Sequence, residues 1–409
     1  MAKRCGAKAR KSSCGPAPSP CGSRAAAKDD GCPLTRFSHM IQNCYEYATA
    51  AKAEGRPIVG ILCEYTPREV IMAAGAVPVC LCGGSAEMVG PAERDLPANL
   101  CPLIKSTYGF HVERANPFLE MADMIVAETT CDGKKKMYEL MAETRPMYVL
   151  ELPQKPDEPQ AFDHWLGELG RLRGELQRRF HVRVTDAKLR QGIAAMNRER
   201  RLRRALAELM KADAPVLTGS ELLEFKSSIS CMPDDLAAYE AALRMLPGRT
   251  PPAGAAERVR VLMTGVPMAH GAERVMDIIG KAGGLVVLME NCTGLKPILE
   301  DVDEKAEDPL RAIAEKYFHL PCSVMTPNDR RMDTLRALAK EYRADCVIEL
   351  VWQACLTYDV ESHRIKRLAE KEFEMPYLRI ETDYSPSDSA RIAVRVEALF
   401  ETVRAASPG

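Results

Sequence analysis

Four cysteines share a position that cysteine burial alone does not predict, because each follows a short apolar run typical of a buried strand. They are Cys63 after IVGIL, Cys131 after MIVAETT, Cys292 after LVVLMEN and Cys355 after CVIELVWQA. In open α/β sheets, ligands bind at the carboxyl ends of the strands. Two such sheets that face one another would therefore bring these thiols towards a common cleft.

Two further cysteines lie in loops of matching character, each beside a proline at the boundary of a predicted helix. They are Cys101 in PANLCPLIKS and Cys322 in HLPCSVMTPNDRR. The count becomes three cysteines in each half of the chain, and thiolate ligands suit iron–sulfur clusters or zinc. Zinc usually recruits ligands from CxxC pairs, and the sequence contains none. Ligands spread so widely along the chain favour a cluster held between domains.

Length and charge exclude several classes of protein. The chain has 409 residues, more than one hydrophobic core usually serves, so we expect at least two domains. A formal net charge of −1 gives no global field for a polyanion, which argues against nucleic acid as a partner. No apolar stretch reaches the roughly 18 to 20 residues of a membrane helix, and the N-terminus contains no apolar signal core. We expect a cytoplasmic protein with reduced cysteines and no membrane partner.

Short apolar runs alternate with helical stretches in two parts of the chain, which indicates parallel sheets with helices on their faces. The part between them contains long helical stretches and no credible strand. The predicted fold is α/β, with two doubly wound parallel-sheet lobes, a helical segment that joins them, and the site in the cleft. The predicted boundaries are a disordered basic tail, a first α/β lobe, a helical connector and a second α/β lobe, at residues 1–31, 32–153, 154–250 and 251–409.

Two local predictions concern helices. In TPREVIMAAG we expect Thr66 as the N-cap of a helix, Pro67 at its first position and Gly75 at its end. The arginine cluster is either a partner-docking patch or a solvated helix face, and the solvated face is favoured; its members are Arg198, Arg200, Arg201, Arg203 and Arg204.

The segments around the six cysteines carry a family resemblance. The segments are LCEYTPREVIMAAGAVPV, NLCPLIKSTYGF, ETTCDGKKKMYELM, ENCTG, FHLPCS and VWQACLTYDVE. Together they resemble signature segments of the 2-hydroxyacyl-CoA dehydratase and benzoyl-CoA reductase superfamily. Within it they are most similar to the single-chain branch of double-cubane cluster proteins. The resemblance extends over residues 33–405 and excludes the tail.

The resemblance implies a cofactor and its ligands. Members have two flavodoxin-like lobes and oxygen-sensitive iron–sulfur clusters. In the dehydratases three cysteines of a subunit hold one [4Fe-4S] cluster, whereas in the double-cubane branch six cysteines hold two cubanes joined by a bridging sulfide, an [8Fe-9S] cluster. The resemblance therefore assigns the ligand role to six cysteines, namely Cys63, Cys101, Cys131, Cys292, Cys322 and Cys355.

The resemblance also implies a partner and a reaction. A separate dimeric iron–sulfur ATPase, the activator, drives low-potential electrons into members of this superfamily, and the sequence accordingly lacks the GxxxxGK[ST] phosphate loop. We expect a homodimeric iron–sulfur reductase component that reduces a small-molecule substrate. The alternatives are a 2-hydroxyacyl-CoA dehydratase subunit with a single [4Fe-4S] cluster, and a non-catalytic electron-transfer or cluster-storage protein.

Proton donors, and groups that hydrogen-bond to the ligands or offset cluster charge, are expected beside the cysteines. The candidate donors of the reducing reaction adjoin cysteine segments or strand ends, and they are Glu64, Glu290, His270 and Tyr358, with Glu128 and Glu361 in similar positions. The lysines of the KKK run, residues 134–136, either offset cluster charge or form a solvated face. Cys80 and Cys82 are either strand residues or competing ligands. We expect no specific role for Cys5, Cys14 and Cys21 in the tail.

Overall fold

The computed structural model describes residues 33–268 and 271–406, in which the strands form two four-stranded sheets. The first sheet contains β1 (Ile58–Ile61), β2 (Val77–Cys80), β3 (Met124–Glu128) and β4 (Met147–Leu150). The second contains β5 (Val259–Gly265), β6 (Gly284–Glu290), β7 (Cys346–Trp352) and β8 (Tyr377–Thr382). Every pairing within the sheets is parallel. The predicted tail at residues 1–31 and the candidate His270 lie outside the described residues.

Helices surround both sheets. In the first half they are α1 (Pro33–Ser38), α2 (Met40–Ala53), α3 (Arg68–Ala73), α4 (Val89–Ala92), α5 (Pro102–Val112), α6 (Pro117–Met121) and α7 (Asp132–Ala142). Between the sheets the chain forms α8 (Pro159–Phe180), α9 (Asp186–Glu208), α10 (Gly219–Glu224) and α11 (Pro233–Met245). The second half has α12 (Arg274–Lys281), α13 (Pro309–Phe318), α14 (Asp329–Glu341), α15 (Leu356–Arg367) and α16 (Ser389–Ala406).

The two sheets repeat one topology, with strand orders β2-β1-β3-β4 and β6-β5-β7-β8. The central strands β1, β3, β5 and β7 are almost entirely buried, because helices cover both faces of a parallel sheet. The edge strand β8 instead alternates between buried and partly exposed residues. The predicted fold class, α/β with two flavodoxin-like lobes, is confirmed.

Residues 154–250 contain helices and no strand, as the sequence predicts, although the domain boundaries themselves stay a prediction. Within the described residues, no helix combines the length and the apolar character needed to cross a membrane.

The central segment fastens the two lobes to one another. Helix α9 packs against α3 of the first lobe and α13 of the second. Its Arg200 forms a 2.6 Å ion pair with Glu69 of α3, and the Tyr317 hydroxyl of α13 donates to the same carboxylate at 2.8 Å. The predicted solvated face is therefore wrong for Arg200, which is 2% exposed, and right for Arg201, whose side chain is half exposed.

The start of α3 differs from the sequence prediction. Pro67, rather than Thr66, is the N-cap residue, and helical geometry begins at Arg68. The Thr66 hydroxyl instead donates to the buried Glu128 carboxylate at the end of β3. Gly75 does follow the end of the helix, with a φ of +79° that favours glycine.

Candidate metal centre

Three of the predicted cysteines lie close together, and we call them the Cys63 triad. Cys63 follows β1, Cys292 follows β6, and Cys322 lies in the loop after α13. Burial raises the pKa of Cys63 above its usual range, and the nearby thiols of Cys292 and Cys322 raise it further. Burial likewise raises the pKa of Cys292 to about 12, with Cys322 contributing. The three thiols therefore form one group, in which Cys322 is buried and Cys63 and Cys292 are partly exposed.

The other three cysteines form a second group, the Cys101 triad, in which every thiol stands at a helix N-terminus. Cys101, Cys131 and Cys355 are the N-cap residues of α5, α7 and α15. The Cys355 thiol lies beside Cys101 and lowers the pKa of Cys101, and Cys131 is close to both. The positive end of a helix dipole favours anionic sulfur. Three helix N-termini thus converge on one group of thiols.

The triads do not follow the order of the sequence. The count of three cysteines per half suggests one group in each half, but the Cys63 triad takes one cysteine from the first lobe and two from the second. The Cys101 triad takes two from the first lobe and one from the second. Each group is therefore complete only when both lobes are in place.

The spacing of the thiols bears on the metal that they fit. In a tetrahedral zinc site the sulfur ligands lie about 3.8 Å apart, because the Zn–S bond is about 2.3 Å long. Among the described residues, three ligand atoms within 4.8 Å of one another occur at Glu151, His164 and the buried Glu168, and in neither triad. Neither triad therefore has all three thiols as close together as a single zinc ion requires.

Two lysines supply positive charge to these thiols. The Lys134 ammonium opposes the effect of burial on the pKa of Cys63 and of Cys131. Lys296 does the same for Cys292. Metal-bound cysteine is a thiolate, so cations beside these thiols favour the ligating form.

Tyr358 and Glu290, two of the candidate proton donors, adjoin the Cys63 triad through Lys296. The Lys296 ammonium donates to the Tyr358 hydroxyl at 3.0 Å and lies 3.4 Å from the Glu290 carboxylate. Burial raises the pKa of Tyr358 well above its usual range, and Cys322 and Cys292 contribute. Arg331 also pairs with Glu290, at 3.3 Å. Tyr358 is therefore held protonated beside the triad, and Glu290 is held by two cations.

Glu64 and Glu128 lie on the first-lobe side of the same group. Glu64 forms a 2.9 Å ion pair with Arg68 and is close enough to Cys292 to raise its pKa. Glu128 is fully buried, and burial raises the pKa of its carboxyl to about 7. One of its oxygens has no hydrogen-bond partner.

Cys80 and Cys82 lie at the end of β2, and their thiols are paired with one another. The nearby Cys82 thiol lowers the pKa of Cys80 to about 7. The Cys82 thiol also donates to the Leu62 carbonyl at 3.6 Å, next to Cys63. This pair is adjacent to the Cys63 triad and belongs to neither triad.

Residues 63–403 match the family model described as 2-hydroxyglutaryl-CoA dehydratase, D-component. This range begins at Cys63 and contains both triads. The chain belongs to this family. The resemblance to the 2-hydroxyacyl-CoA dehydratase and benzoyl-CoA reductase superfamily is thereby confirmed, whereas the double-cubane branch stays a prediction.

Three relatives of this dehydratase-family chain are named as dehydratase subunits. It is 40% identical over 375 residues to the provisionally named dehydratase subunit YjiM of Escherichia coli (strain K12), which covers 90% of this chain and 96% of that protein. It is 21% identical over 378 residues to the (R)-phenyllactyl-CoA dehydratase beta subunit of Clostridium sporogenes; the match covers 90% of this chain and 97% of that subunit. It is 24% identical over 376 residues to the lactoyl-CoA dehydratase subunit beta of Anaerotignum propionicum; the match covers 90% of this chain and 98% of that subunit.

Sequence reasoning about this dehydratase-family chain missed two groups beside the thiols. Lys296 follows Cys292 by four residues in the sequence, and this short separation could have indicated a cation near that thiol. Tyr65 is buried against Cys322, although it follows Cys63 by only two residues in the sequence. Tyr65 has no sequence pattern that distinguishes it from an ordinary core residue.

Proposed function

We propose that this chain is an iron–sulfur reductase component that holds a double-cubane cluster and passes low-potential electrons to a small substrate. The observation that supports it is the division of six cysteines into two groups of three, because two cubanes joined by a sulfide need three thiolates each. The electrons would come from a separate dimeric iron–sulfur ATPase. Eleven free cysteines among the described residues fit a reducing compartment such as the cytoplasm.

The chain's own residues would hold and surround the cluster. The Cys63 triad would ligate one cubane and the Cys101 triad the other. When bound, a cluster of this kind supplies several electrons at low potential. The first-turn backbone of α5, α7 and α15 favours negative charge on the second group.

Proton supply in this proposal falls to groups beside the Cys63 triad. Tyr358 can release a proton only to a strong base, because burial raises its pKa. Its hydroxyl accepts a hydrogen bond from Lys296, which connects it to Glu290. Glu64 is partly exposed and is therefore the carboxylate best placed to exchange protons with water.

A second candidate function is supported by the relatives. Each relative described above is named as a dehydratase subunit. The names of two of them include a 2-hydroxyacyl-CoA, namely (R)-phenyllactyl-CoA and lactoyl-CoA. On this alternative one triad would hold a single [4Fe-4S] cluster, and the chain would act with a second, non-identical subunit instead of as a homodimer.

Iron and acid-labile sulfide per chain, measured on protein purified without oxygen, separate the candidates. The proposal expects about 8 irons with slightly more sulfide than iron. About 4 irons would instead favour the dehydratase subunit. Reoxidation of the reduced protein by small unsaturated substrates, with its ATPase partner present, then distinguishes a reductase from a storage protein. Protein free of iron after anaerobic reconstitution would contradict every one of these functions.

A further inference from the structure

Lys134 connects the chain segments of the two triads. It lies in the first turn of α7, three residues after the N-cap Cys131 of the Cys101 triad. Its ammonium donates a 2.9 Å hydrogen bond to the carbonyl of Leu62, the residue before Cys63. The Cys82 thiol donates to the same carbonyl. One cation is therefore anchored between a thiol of each triad.

Lys134 differs from its two neighbours in the lysine run. Lys135 pairs with Asp132, and Lys136 pairs with Glu139. The side chains of these two lysines are 47% and 69% exposed, so water screens their charges. Lys134 is partly buried and turns inward, where a charge acts over a longer range.

Most of the polar groups around Lys134 are thiols, which become negatively charged only when they ligate a metal. Burial alone would lower the pKa of its ammonium, but Tyr138 and the thiols of Cys63, Cys82 and Cys131 together raise it well above its usual range. Glu128 adds a buried carboxyl that has one unpartnered oxygen and a pKa raised by burial. The cation thus lies beside thiols of both triads and one buried carboxyl.

We propose that Lys134 is a positioning residue that serves as a common counter-charge for both triads and raises the reduction potential of the metal group held by each. This inference rests on the proposed function, in which both triads hold iron–sulfur clusters. Adding an electron makes a cluster more negative, so a nearby buried cation favours the reduced form. The shared position predicts that the two clusters respond together to loss of this one charge.

The test is a redox titration, followed by electron paramagnetic resonance, of Lys134→Met, Lys134→Arg, Lys135→Met and Lys136→Met. We expect Lys134→Met to shift the midpoint potentials of both clusters to more negative values. Lys134→Arg, which keeps the charge, should restore wild-type potentials, and the two exposed-lysine variants should match wild type. A Lys134→Met potential equal to that of Lys135→Met, or a shift in one cluster alone, would overturn the inference.

Iron content measured on the same samples covers the case in which a variant does not retain its cluster. Loss of iron from Lys134→Met but not from Lys134→Arg supports the counter-charge, because arginine keeps the positive charge that methionine lacks. Equal loss from both variants overturns it, since the shape of the lysine would then be decisive. Wild-type protein without two clusters would refute the proposed function, whereas two clusters with unchanged potentials refute only the role of Lys134.

Discussion

The Tyr65 hydroxyl donates a 3.2 Å hydrogen bond to the Leu320 carbonyl, across the two lobes. Tyr65 follows Cys63 by two residues, and Leu320 precedes Cys322 by two. The Leu320 carbonyl also accepts from the Cys322 backbone N–H at 2.8 Å. The two segments that bring Cys63 and Cys322 together are therefore fastened directly beside their thiols.

Removing this hydrogen bond should weaken both the fold and the Cys63 triad. We expect Tyr65→Phe to lower the free energy of unfolding by about 1 kcal/mol, because Leu320 keeps its backbone partner. Iron should also transfer to a chelator faster than in wild type, since Cys63 and Cys322 are less firmly aligned. Tyr45→Phe, at a tyrosine that is 40% exposed, is the matched control and should behave as wild type. Equal chelation rates for the two variants would contradict the prediction.

The buried ion pair of Arg200 and Glu69 should matter far more than its exposed neighbour. Arg200→Met leaves a fully buried carboxylate without its charged partner and should cost about 3–5 kcal/mol. Arg201→Met breaks half-exposed pairs with Asp301 and Glu304 and should cost at most about 1 kcal/mol. Anaerobic denaturation in urea measures both values. Similar costs would show that α9 does not hold the lobes through this pair.

Glu128 should make stability depend on pH. Burial raises the pKa of its carboxyl to about 7, although Thr66, Lys134 and Arg68 oppose this. Between the usual pKa and this value the folded protein binds more protons than the unfolded chain, so stability falls as pH rises through that window. Glu128→Gln should remove up to about 3 kcal/mol of this loss. The measurement is the melting temperature of metal-free protein from about pH 5 to 8. The control variant is Glu87→Gln, at an exposed carboxylate. The same dependence of melting temperature on pH in both variants would refute the prediction.

Substitutions of single cysteines should distinguish ligands from other cysteines. Replacing one cysteine of either triad with serine should remove about half of the bound iron, because a cubane loses one of its three protein ligands. Cys80→Ala, Cys82→Ala and Cys346→Ala should retain wild-type iron, since these thiols lie outside both triads. Loss of iron from Cys80→Ala or Cys82→Ala would add that residue to the ligand set.

The sequence was sufficient to predict the strands that precede four of the six cysteines. Apolar runs identify the strands before Cys63, Cys131, Cys292 and Cys355, because central strands of parallel sheets are buried on both faces. Their grouping was beyond prediction, since it depends on how the two lobes face one another. The contacts that set this arrangement, such as Arg200 with Glu69, join residues far apart in the sequence.

The inward lysine was similarly beyond prediction. Residues 134–136 are identical in type, and the rotation of α7 decides which of them turns towards the thiols. Thr66 shows the same limit, because a buried carboxylate on another strand recruits its hydroxyl away from capping α3. Local sequence preferences therefore predict the helices and strands but not which side chains meet across them.

The most direct test of the account is a crystal structure of anaerobically purified protein with an anomalous-scattering map at the iron edge. The account predicts two adjacent groups of iron, one bound by Cys63, Cys292 and Cys322 and the other by Cys101, Cys131 and Cys355. A single group of iron, or groups whose ligands all come from one half of the chain, would contradict it.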